Sequence, residues 1–423
     1  MKIAVIGAGI IGITTAYELA ADGHEVTVFE RRGTAAEETS FANAGVVAPA
    51  SVTPWAAPGM PGKVLGNLFS RHAAVKISLP LSSRDVAWMW KWWRACKLET
   101  YLANRARLQR LAFYSQQRLH HITADLQLNY DRSDGYMVLL RGEKESRMVQ
   151  PGLAVLREAG VVFSELDADG VRKIEKAINP DTPFAGGIYL PQDEVANCRQ
   201  FALMLKDVAR GLGVNFVFNT TVAQLNQAQA AIDLIVSDAG GESAQHRFDN
   251  VVVCAGVDSG ALLGPLSLRL PMTAVYGYSI SAPIREALNA PQSALMDERY
   301  KVAISRLGNR IRVAGGAELG GTLARYRAAS VQTLYKVLHD WFPGAAQHAN
   351  SSASVQVWKG ARPMLPDGPP IIGPSGQPGV WLNLGHGSSG WALSCGSARA
   401  LADLMAGKAP DIDMTGLDIS RLA

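Results

Sequence analysis

Residues 7–12 read Gly-Ala-Gly-Ile-Ile-Gly, between an apolar run, KIAVI at 2–6, and a helix-compatible stretch that starts at Ile10. A strand that turns through G-x-G-x-x-G into a helix leaves few alternatives. Gly7 permits the tight turn, Gly9 lets a pyrophosphate approach the backbone, and Gly12 lets the helix pack close to the strand. Ala8, Ile10 and Ile11 complete the loop and aim the helix N-terminus at phosphate charge. Gly23 is placed to stop that helix, and Val26–Phe29 gives a second strand. Glu30 follows, 18 residues after Gly12, with Arg31 beside it. An acid there can accept hydroxyls of a dinucleotide ribose. The motif leaves NAD and FAD equally open.

Further on, 31–80 is rich in Gly, Pro, Ser and Ala and reads as a long functional loop with short helices. Helix is expected over 84–125, 143–159, 197–212, 327–341 and 389–405. Strands are expected at 136–140, 214–218, 251–255 and 380–384, and in the runs AVYGYSI, YKVAISR and RIRVAG. Parallel-type units at the start, middle and end are separated by meander-like strands. This predicts an α/β chain in which a Rossmann-like dinucleotide-binding domain is interleaved with a second, mainly antiparallel-sheet domain. The boundaries read as 1–80, 190–265 and 355–423 for the first, and 81–189 and 266–354 for the second.

Gly385-His386-Gly387-Ser388-Ser389-Gly390 repeats the glycine pattern, but only 33 residues follow and no strand with an acidic end closes a second unit. The better reading is a helix N-terminus, at Ser389, Gly390 and Trp391, aimed at the electron-rich end of one extended cofactor. His386 inside that loop reads as a positioning residue rather than a general base. Thr39-Ser40-Phe41-Ala42-Asn43-Ala44-Gly45 suits a loop pressed on pyrophosphate or a flat ring, and an ordinary loop equally. Arg362 follows the strand-like run VQVWKGA, so its fork can reach a cavity and pair with a carboxylate. Tyr276 and Tyr278 alternate and therefore share a face, and Tyr300 lies on another strand-like run. Each is a candidate substrate hydroxyl or an ordinary half-buried aromatic.

Lys plus Arg exceed Asp plus Glu by 41 − 37, a net charge of +4, and no basic run gives a nucleic-acid footprint. Cys96, Cys198, Cys254 and Cys395 are far apart, so no CxxC metal or redox motif exists. The setting expected is cytoplasmic, with no spanning helix. Trp88, Trp90, Trp92 and Trp93 crowd together beside Lys91, Arg94 and Lys97. Such a cluster is either core packing or an interfacial patch on the cytoplasmic face of the inner membrane.

GAGIIG with Glu30, TSFANAG, VVVCAG, RPMLPDGPPIIG and LGHGSSGW occur in the order found in the FAD-dependent D-amino-acid oxidase/glycine oxidase superfamily, which this chain resembles over nearly its whole length. ETSFANAGVVAP, PWAAPG at 54–59, MDERYKVAISR and RPMLPDG most resemble bacterial D-amino-acid dehydrogenase flavoproteins of the small-subunit type. The resemblance implies non-covalent FAD, and it makes the first of the two interleaved domains a Rossmann-like FAD-binding domain and the second a mainly antiparallel-sheet substrate domain. It implies pyrophosphate on Gly7, Gly9 and Gly12, ribose on Glu30, and adenine against Thr221–Val222. It brings Asn43, Ala44, Gly45 and Val46 to the flavin, borders the cofactor with Ala255 and Gly256, and anchors a substrate carboxylate on Arg362. It further implies a D-amino acid as donor and a quinone or other carrier as acceptor. A secondary-amine or D-hydroxyproline dehydrogenase, an oxidase of the same fold, and a non-catalytic flavoprotein subunit of a hetero-oligomer are the alternatives. Glycine oxidases can carry a second arginine in the GH loop; GHGSSG has none.

Overall fold

The structure, a computed structural model, describes residues 1–66, 70–229, 231–346 and 355–422. The expected loop at 31–80 and the expected stretch to 354 each run partly outside those residues.

The apolar run opens the smaller sheet as predicted. β1 (Lys2–Ile6) pairs in parallel with β2 (Glu25–Phe29) on one side and with Asn250–Val253 on the other. Asn215–Val217 and Val380–Leu384 extend the sheet in parallel, and Ile371–Pro374 closes the far edge antiparallel. Ile3, Ala4, Val5, Val251 and Val252 are fully buried, because strands covered on both faces need apolar residues throughout. α1 (Ile10–Ala21) follows β1 and ends at Gly23, which has a positive φ of 83°. Gly7 turns at φ 101°, and a Cβ on Gly12 would stand 1.8 Å from the Gly7 carbonyl oxygen. Both positions therefore require glycine.

The larger sheet has ten strands and is mostly antiparallel. Its path runs Gln356–Met364, Thr273–Pro283, Arg310–Gly320, Val302–Leu307, Ala294–Asp297, Arg132–Leu140, Gly186–Ala196, Val46–Val47. Val75–Ser78 and Ser164–Asp167 pair off this path. A three-stranded sheet of Thr220–Ala228, Ala231–Asp238 and Ser243–Phe248 was not anticipated.

Several elements depart from the sequence reading. The helical stretch 84–125 is two helices, Ser83–Ala95 and Leu98–Asp125, broken at Cys96–Lys97. A capping box between Ser82 and Asp85 starts the first. Strands Val46–Val47 and Val75–Ser78, within 1–80, and strand Gln356–Met364, within 355–423, belong to the larger sheet. Strand Gly186–Ala196 straddles position 190. The chain thus crosses between sheets at other points than the stated boundaries.

Gly390–Met405 packs between α1 and Leu98–Asp125. A Cβ on Gly396 would meet the Ser115 backbone at 2.8 Å, so glycine sets that approach. Fully buried Glu18 on α1 takes Arg118 at 2.7 Å and Arg399 at 2.8 Å, joining all three helices.

Candidate active site

The glycine loop lies at the end of β1 with its partners arranged around it. Glu30 accepts from Ala8 N at 2.7 Å through one carboxylate oxygen and from Arg32 N at 2.8 Å through the other. Ser40 Oγ accepts from Ile10 N at 3.0 Å, which draws the 39–45 loop onto the start of α1. Gly9 has no neighbour on its Cβ side nearer than Ser40 Oγ at 3.5 Å. Unlike Gly7 and Gly12, its missing side chain opens space rather than relieving a clash. Arg31 reaches outward to Glu38 at 3.1 Å and Asp258 at 2.9 Å, as an exposed ion pair. Val222 is buried with Phe29 and Val253. Ala255 and Gly256 follow strand Asn250–Val253, and Gly256 turns at φ 56°.

The second glycine loop meets the larger sheet. Met364 bridges to His386, and a Cβ on Gly387 would stand 2.8 Å from Met364 Sδ. His386 is buried, shares a hydrogen bond of 3.1 Å with Ser397 Oγ, and is pushed down to about 3 by desolvation. It is neutral at working pH. Trp391 Nε1 donates to Ala196 O at 3.0 Å, which seats the helix N-terminus against strand Gly186–Ala196. Cys254 and Cys395 are buried thiols raised by desolvation, small apolar fillers rather than nucleophiles.

Arg362 lies on a strand held between the 39–45 loop and the second glycine loop. Its strand is tied to the 39–45 loop by Thr39 Oγ1 donating to Ala361 O at 2.6 Å. Across the strand pair, Arg362 lies opposite Val275 and folds back over Gly277. A Cβ there would stand 2.3 Å from Arg362 Nη2. Nη1 donates to Gly316 O at 2.8 Å, and Trp55 lies 6.0 Å from the guanidinium. No carboxylate lies within 4.0 Å of it among the described residues. Desolvation lowers it to about 10, since the guanidinium is enclosed although the residue keeps some exposure at its edge.

The same register separates the tyrosines from Arg362. Tyr276 and Tyr278 do share a face, but it is the reverse of the one that carries Arg362. Val275, Gly277, Ser279 and Ser281 point with Arg362, and the tyrosines point the other way. Tyr278 donates to Glu318 and is packed in the core that Ala328–Trp341 covers. Tyr276 lies against Lys359, whose Nζ is 4.5 Å from the ring. Tyr300 stacks beneath Arg141, also on that side. None of the three is brought to Arg362. The four tryptophans divide likewise. Trp88 and Trp92 stack inward, with Trp88 Nε1 donating to Met364 O at 2.9 Å, while Trp90 and Trp93 are 57% and 54% exposed.

The family model described as FAD dependent oxidoreductase matches residues 2–404. The chain belongs to that family. A D-amino acid dehydrogenase of Bradyrhizobium diazoefficiens is 41% identical, the match spanning all of this chain and 99% of that protein. One of Rhizobium johnstonii is 40% identical over the full length of both. Among solved structures, glycine oxidase from Geobacillus kaustophilus superposes with a TM-score of 0.77 at 20% identity, covering 99% of this chain and 98% of that one. L-proline dehydrogenase from P. horikoshii gives 0.72 at 14% identity, over 100% and 97%.

As an FAD-dependent oxidoreductase the chain must offer a groove for an extended dinucleotide, and the geometry fits one. Gly9 leaves open space before the helix N-terminus. On the Arg362 face, Ser279 Oγ and Arg312 Nε are buried without a hydrogen-bond partner among the described residues. Orphaned polar atoms on one wall call for a polar ligand. Gly277, Trp55, Ser279 and Arg312 were missed in the sequence. Gly277 alone carried a readable signal, since glycine inside a strand marks close approach. Among the described residues no helix is long and apolar enough to cross a membrane, and no group of three His, Cys, Asp or Glu could hold a metal.

Proposed function

We propose that this chain oxidatively deaminates D-amino acids, with FAD as cofactor and a quinone or other carrier as final acceptor. The observation that carries this reading is Arg362: a desolvated guanidinium without an acidic partner among the described residues, on a strand held between the 39–45 loop and the second glycine loop. An enclosed fork of this kind suits a carboxylate. The names of the relatives supply the D-amino acid.

Bound FAD would supply the acceptor for a hydride from the substrate Cα and a two-electron store. Gly7, Gly9, Gly12 and the α1 N-terminus would hold the pyrophosphate, and Glu30 the ribose. Asn43–Val46 and the N-terminus of Gly390–Met405 would border the ring. Arg362 binds the carboxylate and fixes its angle, so only one enantiomer aims its Cα hydrogen at the cofactor. Trp55, beside the guanidinium, and Trp358, whose ring covers Gly360 on the same face, would shield the carboxylate from water. His386 is neutral and engaged by Ser397, so it orders its loop without moving a proton. A substrate amine that loses its proton on binding needs no protein base, and catalysis is chiefly orientation. The oxidised product is an imino acid. Water adds across its C=N bond, releasing ammonia and leaving a 2-oxo acid.

Anaerobic mixing with D-alanine tests the reading: the flavin absorbance bleaches, and L-alanine leaves it unchanged. Absence of bleaching with any D-amino acid refutes it. Stoichiometric peroxide in air would make oxygen the acceptor.

A lipid surface as docking partner rests on a separate observation. Val86, Trp90 and Trp93 are exposed along one side of Ser83–Ala95, with Leu79, Leu98 and Leu102 exposed near them. Lys91, Arg94 and Lys97 flank this apolar face, and aromatic and basic residues so combined favour a headgroup interface.

A further inference from the structure

The Arg362 face of the larger sheet carries a second arginine that the proposed reaction does not use. Arg312 lies opposite Ser281 and Ser305, which puts it on that face. Its Nη1 donates to Asn43 O at 3.1 Å, and its Nε is buried without a partner. Its charged surroundings are Arg199 and Arg310 with the Cys198 thiol, and no carboxylate among the described residues is within 4.0 Å. Holding a cation here is unfavourable unless it does something for its neighbours.

What it holds is one link of a series. Ser305 Oγ donates to the next carbonyl, Ala44 O, at 2.6 Å. Ala196 N donates to the one after, Gly45 O, at 2.7 Å. Three successive carbonyls are therefore engaged, two of them by side chains of the larger sheet. A trans peptide whose carbonyl is turned to one side turns its N–H to the other. The Ala44 N–H thus faces away from Arg312, while Gly45 N is capped by Asn43 Oδ1 at 2.9 Å.

We infer that Arg312 is a positioning residue: with Ser305 it clamps the Asn43 and Ala44 carbonyls to the sheet on either side of the Ala44 backbone, so that the Ala44 N–H is presented to the flavin ring. The inference rests on the proposal that the 43–46 loop borders the flavin. Amide donors fixed before electrons arrive stabilise the more electron-rich, reduced ring without reorganising. The clamp therefore favours reduction.

The test uses Arg312→Met, Arg312→Lys and Ser305→Ala in the FAD-loaded protein. The readouts are flavin content and the two-electron reduction equilibrium against a dye. Arg312→Met should retain FAD and lower the reduction equilibrium constant about tenfold, about 30 mV for a two-electron couple. Ser305→Ala should move it the same way by less, and Arg312→Lys should fall between. The apparent Kd for D-alanine, governed by Arg362, should hold. A shift in Arg312→Met with none in Ser305→Ala overturns the clamp, as do unchanged equilibria in both. Loss of FAD from both Arg312→Lys and Ser305→Ala also overturns it, because the pair would then build the site rather than orient it. Failure of the wild type to bleach with D-alanine would instead strike the functional reading, and the dye equilibrium remains measurable in that event.

Discussion

Gly277→Ala attacks the proposed carboxylate site without touching Arg362. A methyl at 277 would lie 2.3 Å from Arg362 Nη2, 2.5 Å from Cζ and 2.8 Å from Nη1. Ordinary carbon contacts begin near 3.5 Å, so the guanidinium must retreat by about 1 Å. The clash falls on the far end of a flexible side chain, and Gly277 does not have a positive φ. The sheet should therefore survive, and an alanine within a strand even recovers roughly 0.5–1 kcal/mol relative to glycine. Carboxylate recognition should not survive, because a misplacement of about 1 Å costs on the order of 10²-fold in such sites. That factor is about 2.7 kcal/mol, inside the range of about 2–5 kcal/mol expected for removing the cation by Arg362→Ala. The assay is the anaerobic reduction rate against D-alanine concentration, repeated with ethylamine, which lacks the carboxylate. The apparent Kd should rise for the acid and stay put for the amine, with Tm unchanged or higher. In the double variant the two losses should not add, since both act through one guanidinium. A Kd for D-alanine within twofold of wild type in Gly277→Ala would refute the placement of Arg362 as the anchor.

Gly9→Val and Gly12→Ala should fail differently: the first folds but purifies without flavin, the second loses stability itself, since its Cβ meets the Gly7 carbonyl at 1.8 Å. Absorbance at the flavin bands with a thermal melt separates them, and full flavin occupancy in Gly9→Val would sink the pyrophosphate assignment. His386 has a folded value of about 3 against an ordinary 6.5, so the unfolded chain takes up a proton that the folded chain refuses. Its stabilising burial is complete above pH 6.5 and is lost as pH falls toward 3, by up to ~1.4 kcal/mol per pH unit. His386→Gln should accordingly flatten the acid limb of stability between pH 6.5 and 4, and an unaltered slope would disprove the assignment. Trp90→Ser with Trp93→Ser should release the protein from anionic vesicles at unchanged flavin content. Retained vesicle binding would remove the lipid surface from consideration.

The first thirty residues were legible because their constraints are local. A turn at positive φ, a helix packed on its own strand and an acid at the next strand end are all set within one β-α-β unit. The order of the later motifs was legible too, and with it the family. What escaped was set by distant pairings. The break at Cys96–Lys97 interrupts a stretch whose composition is helical throughout. Arg312 was unreadable because RIRVAG gives no sign that its arginine meets Asn43, 269 residues away.

The tyrosines show where period-two reasoning stops. Alternation put Tyr276 and Tyr278 on one face correctly, but it is blind to which face looks at the cofactor. Tertiary packing decides that. Ala328–Trp341 lays Leu334, Val337 and Trp341 on the tyrosine face, with Ile280, Ile304 and Val313 beneath them. The other face carries Gly277, Ser279 and Ala314, small residues on which a large ligand can lie close, beside Arg312 and Arg362. The tyrosine face in turn holds the arginine strand in place. Lys359, three residues before Arg362, is buried with its Nζ 3.0 Å from Glu318 and bonded to Thr322 O and Arg325 O at 2.8 Å. One strand thus presents a paired, buried cation to the core and, on its other face, a cation without an acidic partner among the described residues. The pairing, rather than the residue type, is what supports the proposal that the second binds substrate.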